Sequence, residues 1–378
     1  MNKLAAIIAI FFAAALCHAQ INSSTTTDYL EVTAGRLYYE ECGTGSAVVL
    51  LHDGLLHSVV WDDMWPALCS KYHVLRYDRR GYGRSPAAKT SFSPEDDLLH
   101  LLDHAKIAQA VLVGSSSGSA LAIDFTVAHP DRVEALFLIG PVVHGMRSSD
   151  YFLQRANIAN APLAKQDFRA AAENWSKDQF QVNGNRPEAR KKILDTLTAS
   201  PQNFSVPGQF EIRPSPPTVT RLAEVQAPTL LIVGEGDIAD VHAFSGAIQA
   251  AFPVVRREVW KDCGHQVQLE KPAELTDRLA TFISVVERKT ISLPVAVLQR
   301  YNGVYSLPNS RIIVTTMKGR LVLQINGDAD VPLFAESQTH FLVRTTGTEV
   351  QFEQDANGKV TAMILRNPGG EPVRCPRL

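Results

Sequence analysis

The chain has 378 residues, 45% hydrophobic and 20% charged, with 37 Lys and Arg against 39 Asp and Glu. That is ordinary globular composition, long enough for two or three structural units, each with a core. A formal net charge of −2, with no basic run, Cys/His metal spacing or glycine-rich phosphate loop, excludes nucleic acid, structural metal and nucleotide cofactors as expected ligands.

The elements begin with a leader. Lys3 precedes the apolar stretch from Leu4 to Cys17, and Cys17-His18-Ala19 ends it before Gln20. This pattern predicts a signal peptide over residues 1–19, cleaved after Ala19, and hence a secreted or periplasmic chain. The apolar stretch falls short of the ~20 residues that span a bilayer, so no membrane span is expected after cleavage. Export permits disulfides. Cys42, Cys69, Cys263 and Cys375 allow three full pairings, and free buried thiols are an equal alternative.

Tyr29–Thr33 and Leu37–Glu41 flank Ala34-Gly35 and predict a hairpin. Val48–His52, Val74–Tyr77, Val111–Val113, Ala135–Ile139 and Leu230–Val233 are nearly continuous apolar runs. Strands covered by helices on both faces read this way. Ser93-Pro94-Glu95-Asp96 supplies an N-cap, a first-turn proline and first-turn acids, and Lys271-Pro272 opens a second helix. Strands alternating with helices predict an α/β fold with a mostly parallel sheet. Residues 144–220 interrupt the alternation with helical patterns over Gln166–Ser176 and Pro187–Ala199, then a proline-rich loop. They read as a helical cap between core segments 29–143 and 221–288. Past Ser292-Leu293-Pro294 the period becomes two, as in Arg311–Thr315, Leu321–Ile325 and Phe341–Arg344. Residues 294–378 are therefore expected to form an all-β meander or small barrel, enclosing either a small core or a ligand pocket.

The densest chemical signal is Val111-Leu112-Val113-Gly114-Ser115-Ser116-Ser117-Gly118. A Gly-x-Ser-x-Gly pentapeptide after a buried strand and before a helix puts its central serine on a strained turn. Ser116 Oγ then lies at a helix N-terminus, and the Ser117 N–H points at the same place.

Here the chain resembles the α/β-hydrolase superfamily over residues 29–288. Leu50-Leu51-His52-Asp53-Gly54 resembles the family's histidine-glycine oxyanion loop, and Asp78-Arg79-Arg80-Gly81-Tyr82-Gly83-Arg84-Ser85 its Asp-x-Arg-Gly-x-Gly-x-Ser turn. Gly234-Glu235-Gly236-Asp237 matches the turn bearing the acid, and Asp262-Cys263-Gly264-His265 the histidine loop. The resemblance implies a triad of Ser116, Asp237 and His265, with oxyanion N–H groups from Ser117 and Gly54 and no cofactor. The family has Gly directly after the loop histidine. Asp53 intervenes here and places a carboxylate near the site. Asp240 competes with Asp237 for the acid and reads as a carboxylate capping the next helix. Asp78, Arg80 and Arg84 read as turn-fixing, His52 and His57 as ordering the first loop, and Trp61 and Trp65 as core.

The order Glu235, Asp237, Asp240, His242, together with Trp61-Asp62-Asp63, is most similar to the lactonase and small-ester branch, enol-lactone hydrolases included. Residues Leu298 to Tyr305 resemble the opening of a lipocalin-like β-module appended to secreted serine hydrolases. The implied function is an exported serine hydrolase that cleaves a small-molecule carboxylic ester or lactone through an acyl-enzyme. The alternatives are C–C bond hydrolysis or cofactor-free perhydrolysis on the same triad, or a non-turnover small-ligand receptor. Oligomeric state is left open.

Overall fold

The computed structural model describes residues 24–206 and 208–378. The leader expected over residues 1–19 lies outside the described residues. The first sheet contains β1 (Thr26–Val32), β2 (Gly35–Cys42), β3 (Ala47–Leu51), β4 (His73–Tyr77), β5 (Ala110–Ser115), β6 (Val133–Ile139), β7 (Thr229–Gly234) and β8 (Val255–Trp260). Their spatial order is β1-β2-β4-β3-β5-β6-β7-β8. The β1–β2 hairpin and its junction with β4 are antiparallel, and every later pairing is parallel.

The apolar runs have a direct structural cause. Successive residues of a strand point to opposite faces. Val48, Leu50, Val111 and Val113 enter a core shared with Trp61, Leu279 and Phe282. Val49, Leu51, Ala110 and Leu112 enter a second core with Leu98, Leu102 and Phe125. Both faces are covered, so neither parity can be polar. On one face lies helix Pro94–His104, whose N-cap Ser93 accepts from the Asp96 N–H at 3.0 Å. Helix Pro272–Val286 covers the other, with Leu275, Leu279, Phe282, Ile283 and Val286 buried.

Between β6 and β7 stand helices Asp150–Asn160, Phe168–Lys177 and Pro187–Ala199, followed by short 3₁₀ turns. Cys42 and Cys69 form a disulfide, whereas Cys263 and Cys375 are free and buried.

The second sheet is wholly antiparallel. It runs through β9 (Gly303–Leu307), β10 (Ser310–Met317), β11 (Arg320–Ile325), β12 (Val331–Ala335), β13 (His340–Leu342), β14 (Glu349–Gln354), β15 (Val360–Arg366) and β16 (Val373–Pro376), in chain order across the sheet. A bridge between Tyr305 and Arg377 brings the two edges together, so the meander is nearly a closed barrel. Its core stacks Tyr301 on Phe352 at 4.4 Å, with Tyr305 and Phe341 around them. Ion pairs from Arg288 to Glu336 and Glu349, and the Ile291 N–H to Ala335 carbonyl bond at 2.7 Å, join the sheet to the chain leaving helix Pro272–Val286. Among the described residues, no helix is long and apolar enough to cross a membrane.

Candidate active site

Each group of interest leaves the C-terminal end of a parallel strand, where open α/β sheets place their crevices. Ser116 follows β5 and begins helix Ser117–Ala128. Its φ of 51° and ψ of −116° are strained for a side-chain-bearing residue. Its N–H is held by the Ile139 carbonyl at 2.9 Å. The flanking glycines are steric necessities. A Cβ on Gly118 would lie 2.2 Å from the Leu51 carbonyl oxygen, and one on Gly114 would lie 2.7 Å from Gly118 backbone. Small residues therefore let the turn close against β3 and leave Ser116 half-buried at the mouth of the strand.

Asp237 follows the β7 turn and His265 the loop after β8. His265 Nδ1 donates to Asp237 Oδ2 at 2.8 Å, while Asp237 Oδ1 accepts from the Ile238 N–H at 2.7 Å. This fixes the tautomer and leaves His265 Nε2 as an acceptor. Burial disfavours the imidazolium, but the charge and hydrogen bond of Asp237 outweigh it. His265 is held above the usual histidine range, with Asp53 adding to the effect and Arg155 opposing it. Gly140 makes room for this pair. It has a φ of 49°, and a Cβ there would lie 2.8 Å from His265 Nδ1. Nothing in the sequence pattern marked Gly140 beyond its place at the end of β6.

The histidine loop is held from the cap. The His265 and Gln266 N–H groups donate to the carbonyls of Phe180 and Gln181 at 2.7 and 2.9 Å. The Glu270 carboxylate accepts from the N–H of Gly264 at 2.6 Å and of Asn183 at 3.0 Å. Asp240 does not approach His265's partner position. It binds the N–H and hydroxyl of Ser149, the N-cap of helix Asp150–Asn160. Asp240 is also not a cap of its own helix, whose N-cap is Ile238. The acid at this position ties core to cap.

Ser116, Asp237, His265 and Gly54 line one cavity of about 350 Å³, walled by cap residues including Phe152, Arg155 and Trp175. Ser117's side chain lies elsewhere, in an adjoining cavity of about 240 Å³ that shares Gly54, Tyr82 and Val206 with the first. The N–H groups of Gly54 and Ser117 find no acceptor among the described residues. Behind Gly54 is a built support. The Asp53 carbonyl, which shares its peptide unit with the Gly54 N–H, accepts from His52 Nδ1 and from Arg79 Nη2, both at 2.7 Å. The Arg79 N–H donates to His52 Nε2 at 2.9 Å, so His52 is the Nδ1–H tautomer. Burial first, and Arg79 second, keep His52 well below its usual pKa and therefore neutral. Arg79 Nη2 also donates to Ser117 Oγ at 2.7 Å. One guanidinium thus braces the two backbone segments whose free N–H groups flank Ser116.

Asp53 faces the cavity. Its Oδ1 accepts from the Leu55 and Leu56 N–H groups at 2.6 and 2.8 Å, and its Oδ2 is buried without a partner among the described residues. Arg155 is engaged by Asp178 in two bonds of 2.6 and 3.0 Å. His57 pairs with Asp78 at 3.4 Å, and Arg80 grips Asp97 through two bonds of 2.7 Å. Trp61 and Trp65 are core. Among the described residues no group of three or more His, Cys, Asp or Glu could hold a metal.

The alpha/beta hydrolase family matches residues 48–278, and a domain of unknown function (DUF3471) matches residues 287–375. The chain is 26% identical over 287 residues to a Pseudomonas putida 2-hydroxy-6-oxononadienedioate/2-hydroxy-6-oxononatrienedioate hydrolase, covering 68% of this chain and 96% of that one. It is 25% identical over 277 residues to the 2-hydroxy-6-oxo-6-phenylhexa-2,4-dienoate hydrolase of Comamonas testosteroni, covering 69% and 93%. Among solved structures it is similar to Est816, an N-acyl homoserine lactone degrading enzyme, with a TM-score of 0.55, 25% identity and coverage of 68% and 100%. A thermophilic esterase from Thermogutta terrifontis shares the fold, with a TM-score of 0.58, 23% identity and coverage of 69% and 99%. With its parallel sheet, its Gly-x-Ser-x-Gly turn and a family match across most of the first sheet, the chain belongs to the alpha/beta hydrolase family.

Proposed function

We propose that this hydrolase cleaves a small neutral carboxylic ester or lactone through an acyl-enzyme formed on Ser116. The reading rests on one observation above all. Ser116, on a strained strand-to-helix turn, shares a cavity with a His265–Asp237 pair whose tautomer leaves Nε2 free to accept a proton. His265 takes the Ser116 proton as Oγ attacks the carbonyl, and Asp237 stabilises the imidazolium that forms. The N–H groups of Gly54 and Ser117 receive the oxyanion, each worth about 3–4 kcal/mol in the transition state, with the N-terminus of helix Ser117–Ala128 adding its dipole. Collapse expels the alcohol with the proton from His265. Water, activated by the same imidazole, then releases the acid.

Electrostatics favour the ester or lactone over the dienoates named for the two curated relatives. Those names contain ketone and carboxylate groups and no ester, so their hydrolysis breaks a carbon–carbon bond of an anionic substrate. In this cavity the unpartnered Asp53 oxygen repels anions, and Arg155 is already neutralised by Asp178. A neutral substrate meets neither difficulty. The likeness to a lactone-degrading enzyme agrees with the lactonase and small-ester branch. Export belongs to the same proposal, since a Cys42–Cys69 disulfide suits an oxidising compartment.

The test is a panel of short esters, lactones and 6-oxo-dienoates with purified residues 20–378 and Ser116→Ala. Ester or lactone turnover lost by a factor on the order of 10⁶ in the variant is expected. Turnover of the dienoates alone would select the C–C reading, and binding with no turnover the receptor reading.

A further inference from the structure

Among the described residues, four side-chain amides line the cavity of Ser116, and their hydrogen bonds divide them into two kinds. Asn203 and Gln266 are used at both ends. Asn203 Oδ1 accepts from the Gly83 N–H at 3.0 Å, and its Nδ2 donates to the Leu55 carbonyl at 3.2 Å. Gln266 Oε1 accepts from Gln268 Nε2 at 2.6 Å, and its Nε2 donates to Gln181 Oε1 at 2.9 Å. Asn160 and Gln181, both in the cap between β6 and β7, are used only at the oxygen.

Their partners decide which end is left over. Asn160 Oδ1 accepts from the Trp175 indole N–H at 2.8 Å. An indole nitrogen can only donate, so the Asn160 oxygen is turned to Trp175 and its Nδ2 away from it. Gln181 stands at the end of a relay. Gln268 Nε2 donates to Ser115 Oγ at 3.2 Å and to Gln266 Oε1, and Gln266 passes its own N–H to Gln181 Oε1. The group left over at the cavity end is Gln181 Nε2. Neither Asn160 Nδ2 nor Gln181 Nε2 has an acceptor among the described residues, and neither is sealed in the interior. The Gln266 N–H to Gln181 carbonyl bond, next to that of His265 to Phe180, fixes Gln181 against the histidine loop.

The two walls of the cavity therefore differ in kind. The core wall holds acceptors, His265 Nε2 and the unpartnered Asp53 Oδ2. The cap wall offers neutral N–H donors, its Arg155 being taken by Asp178. An open donor gains a partner when the substrate brings an acceptor, and a substrate without one displaces water without replacing its bond.

We propose that Asn160 and Gln181 select, among the esters and lactones of the proposed function, those that carry a second, neutral carbonyl. The inference rests on that function. Asp53 disfavours an anionic acceptor, so a ketone or amide oxygen is the matching group, and a carboxylate is not.

The test is the kcat/KM of ethyl 4-oxohexanoate and ethyl 5-oxohexanoate relative to that of ethyl hexanoate, each corrected for its rate with hydroxide. The ratio cancels any change at Ser116 or His265 that acts on all esters alike. Wild type is expected to prefer one oxo ester by about three- to tenfold, the range of a net neutral hydrogen bond. Asn160→Asp and Gln181→Glu keep the oxygen that Trp175 or Gln266 needs and replace the open donor by an acceptor. Each should lower the ratio at least about threefold and raise the relative rate of ethyl 6-hydroxyhexanoate, which brings a donor. A wild-type ratio of one for both oxo esters would overturn the proposal while leaving the ester reading in place. A wild-type preference for the hydroxy ester would mean that the cap presents acceptors, and an oxo preference unchanged in both variants would assign it to other groups. Either result overturns the proposal. A wild type that hydrolyses no ester or lactone removes the parent reading and this inference with it.

Discussion

The cavity around Ser116 and the cavity on the C-terminal sheet are both lined by arginine, and the charge is partnered differently in the two. In the cavity of Ser116, Arg155 is gripped by Asp178, while the neighbouring Arg79 donates to a carbonyl and a hydroxyl and keeps its Nε buried without an acceptor among the described residues. Among the described residues lining that cavity, Asp53 keeps a carboxylate oxygen without a hydrogen-bond partner. In the C-terminal sheet Arg320 and Arg344 both lie against the Phe334 ring, with no acid in the cavity walls. A site that must develop a transient negative charge is built from neutral N–H donors, which need no counter-ion in the resting state. The contrast teaches that a guanidinium beside Ser116 can be held by carbonyl and hydroxyl partners as a scaffold, without an acid to pair it.

The largest break in the comparison comes at Asp237. Asp237→Asn should lower kcat by about 10⁴, since the amide favours the wrong tautomer and cannot stabilise the imidazolium. The pH profile carries the sign. The base works when neutral, so a raised His265 pKa moves the acid limb of kcat/KM to higher pH. Losing the carboxylate that raises it should move that limb down. An acid limb that stays put in Asp237→Asn would separate Asp237 from His265.

Arg79→Met sharpens the scaffold claim. It removes the brace on the Asp53–Gly54 peptide and on Ser117 but deletes no N–H donor. A loss of about 10–100-fold in kcat with KM nearly unchanged is expected, smaller than removal of a donor itself. Tight-binding carbonyl analogues that form a tetrahedral adduct should weaken in parallel. A loss in KM alone would mean that Arg79 contacts substrate.

Asp240→Asn should cost less than about tenfold in kcat, by loosening the Ser149 tie between core and cap. If this variant is the crippled one and Asp237→Asn is near wild type, the acid assignment falls. Smallest of all, Arg320→Met should leave kcat and KM on small esters unchanged. A changed kcat would show that the two cavities communicate.

The sequence made one half of this architecture easy to read. Four strands of the first sheet are covered on both faces, so their apolar runs are unbroken. The turn around Ser116 has steric demands that only small residues meet. Strand β8 hid itself because it is an edge strand, and Arg256, Arg257 and Glu258 break its apolar pattern. Helix Asp150–Asn160 hid for a similar reason, since only Ala159 is buried and no stripe forms. Asp240 looked like a cap because a carboxylate starting a helix usually is one, and the cap helix that claims it is 91 residues distant in sequence. Arg79 and Arg80 read as one turn. The fold sends one toward Ser117 and the other to Asp97. The cysteine pairing was open because it depends on where β2 ends relative to the segment before β4, which no spacing encodes. Arg320 and Arg344 become neighbours only through the register of three strands.

Each of the two regions also contains a sealed thiol. Cys263 lies two residues before His265, fully buried, its Sγ donating to the Trp260 carbonyl at 3.3 Å, and burial pushes its pKa up to about 12. Cys375 is equally buried in β16, and its pKa is raised by the same cause. Reaction with a thiol reagent needs an exposed thiolate, so neither cysteine can react until its surroundings open. The molecule therefore carries two internal clocks, one timing the opening of the histidine loop and the other the fraying of the second sheet's edge.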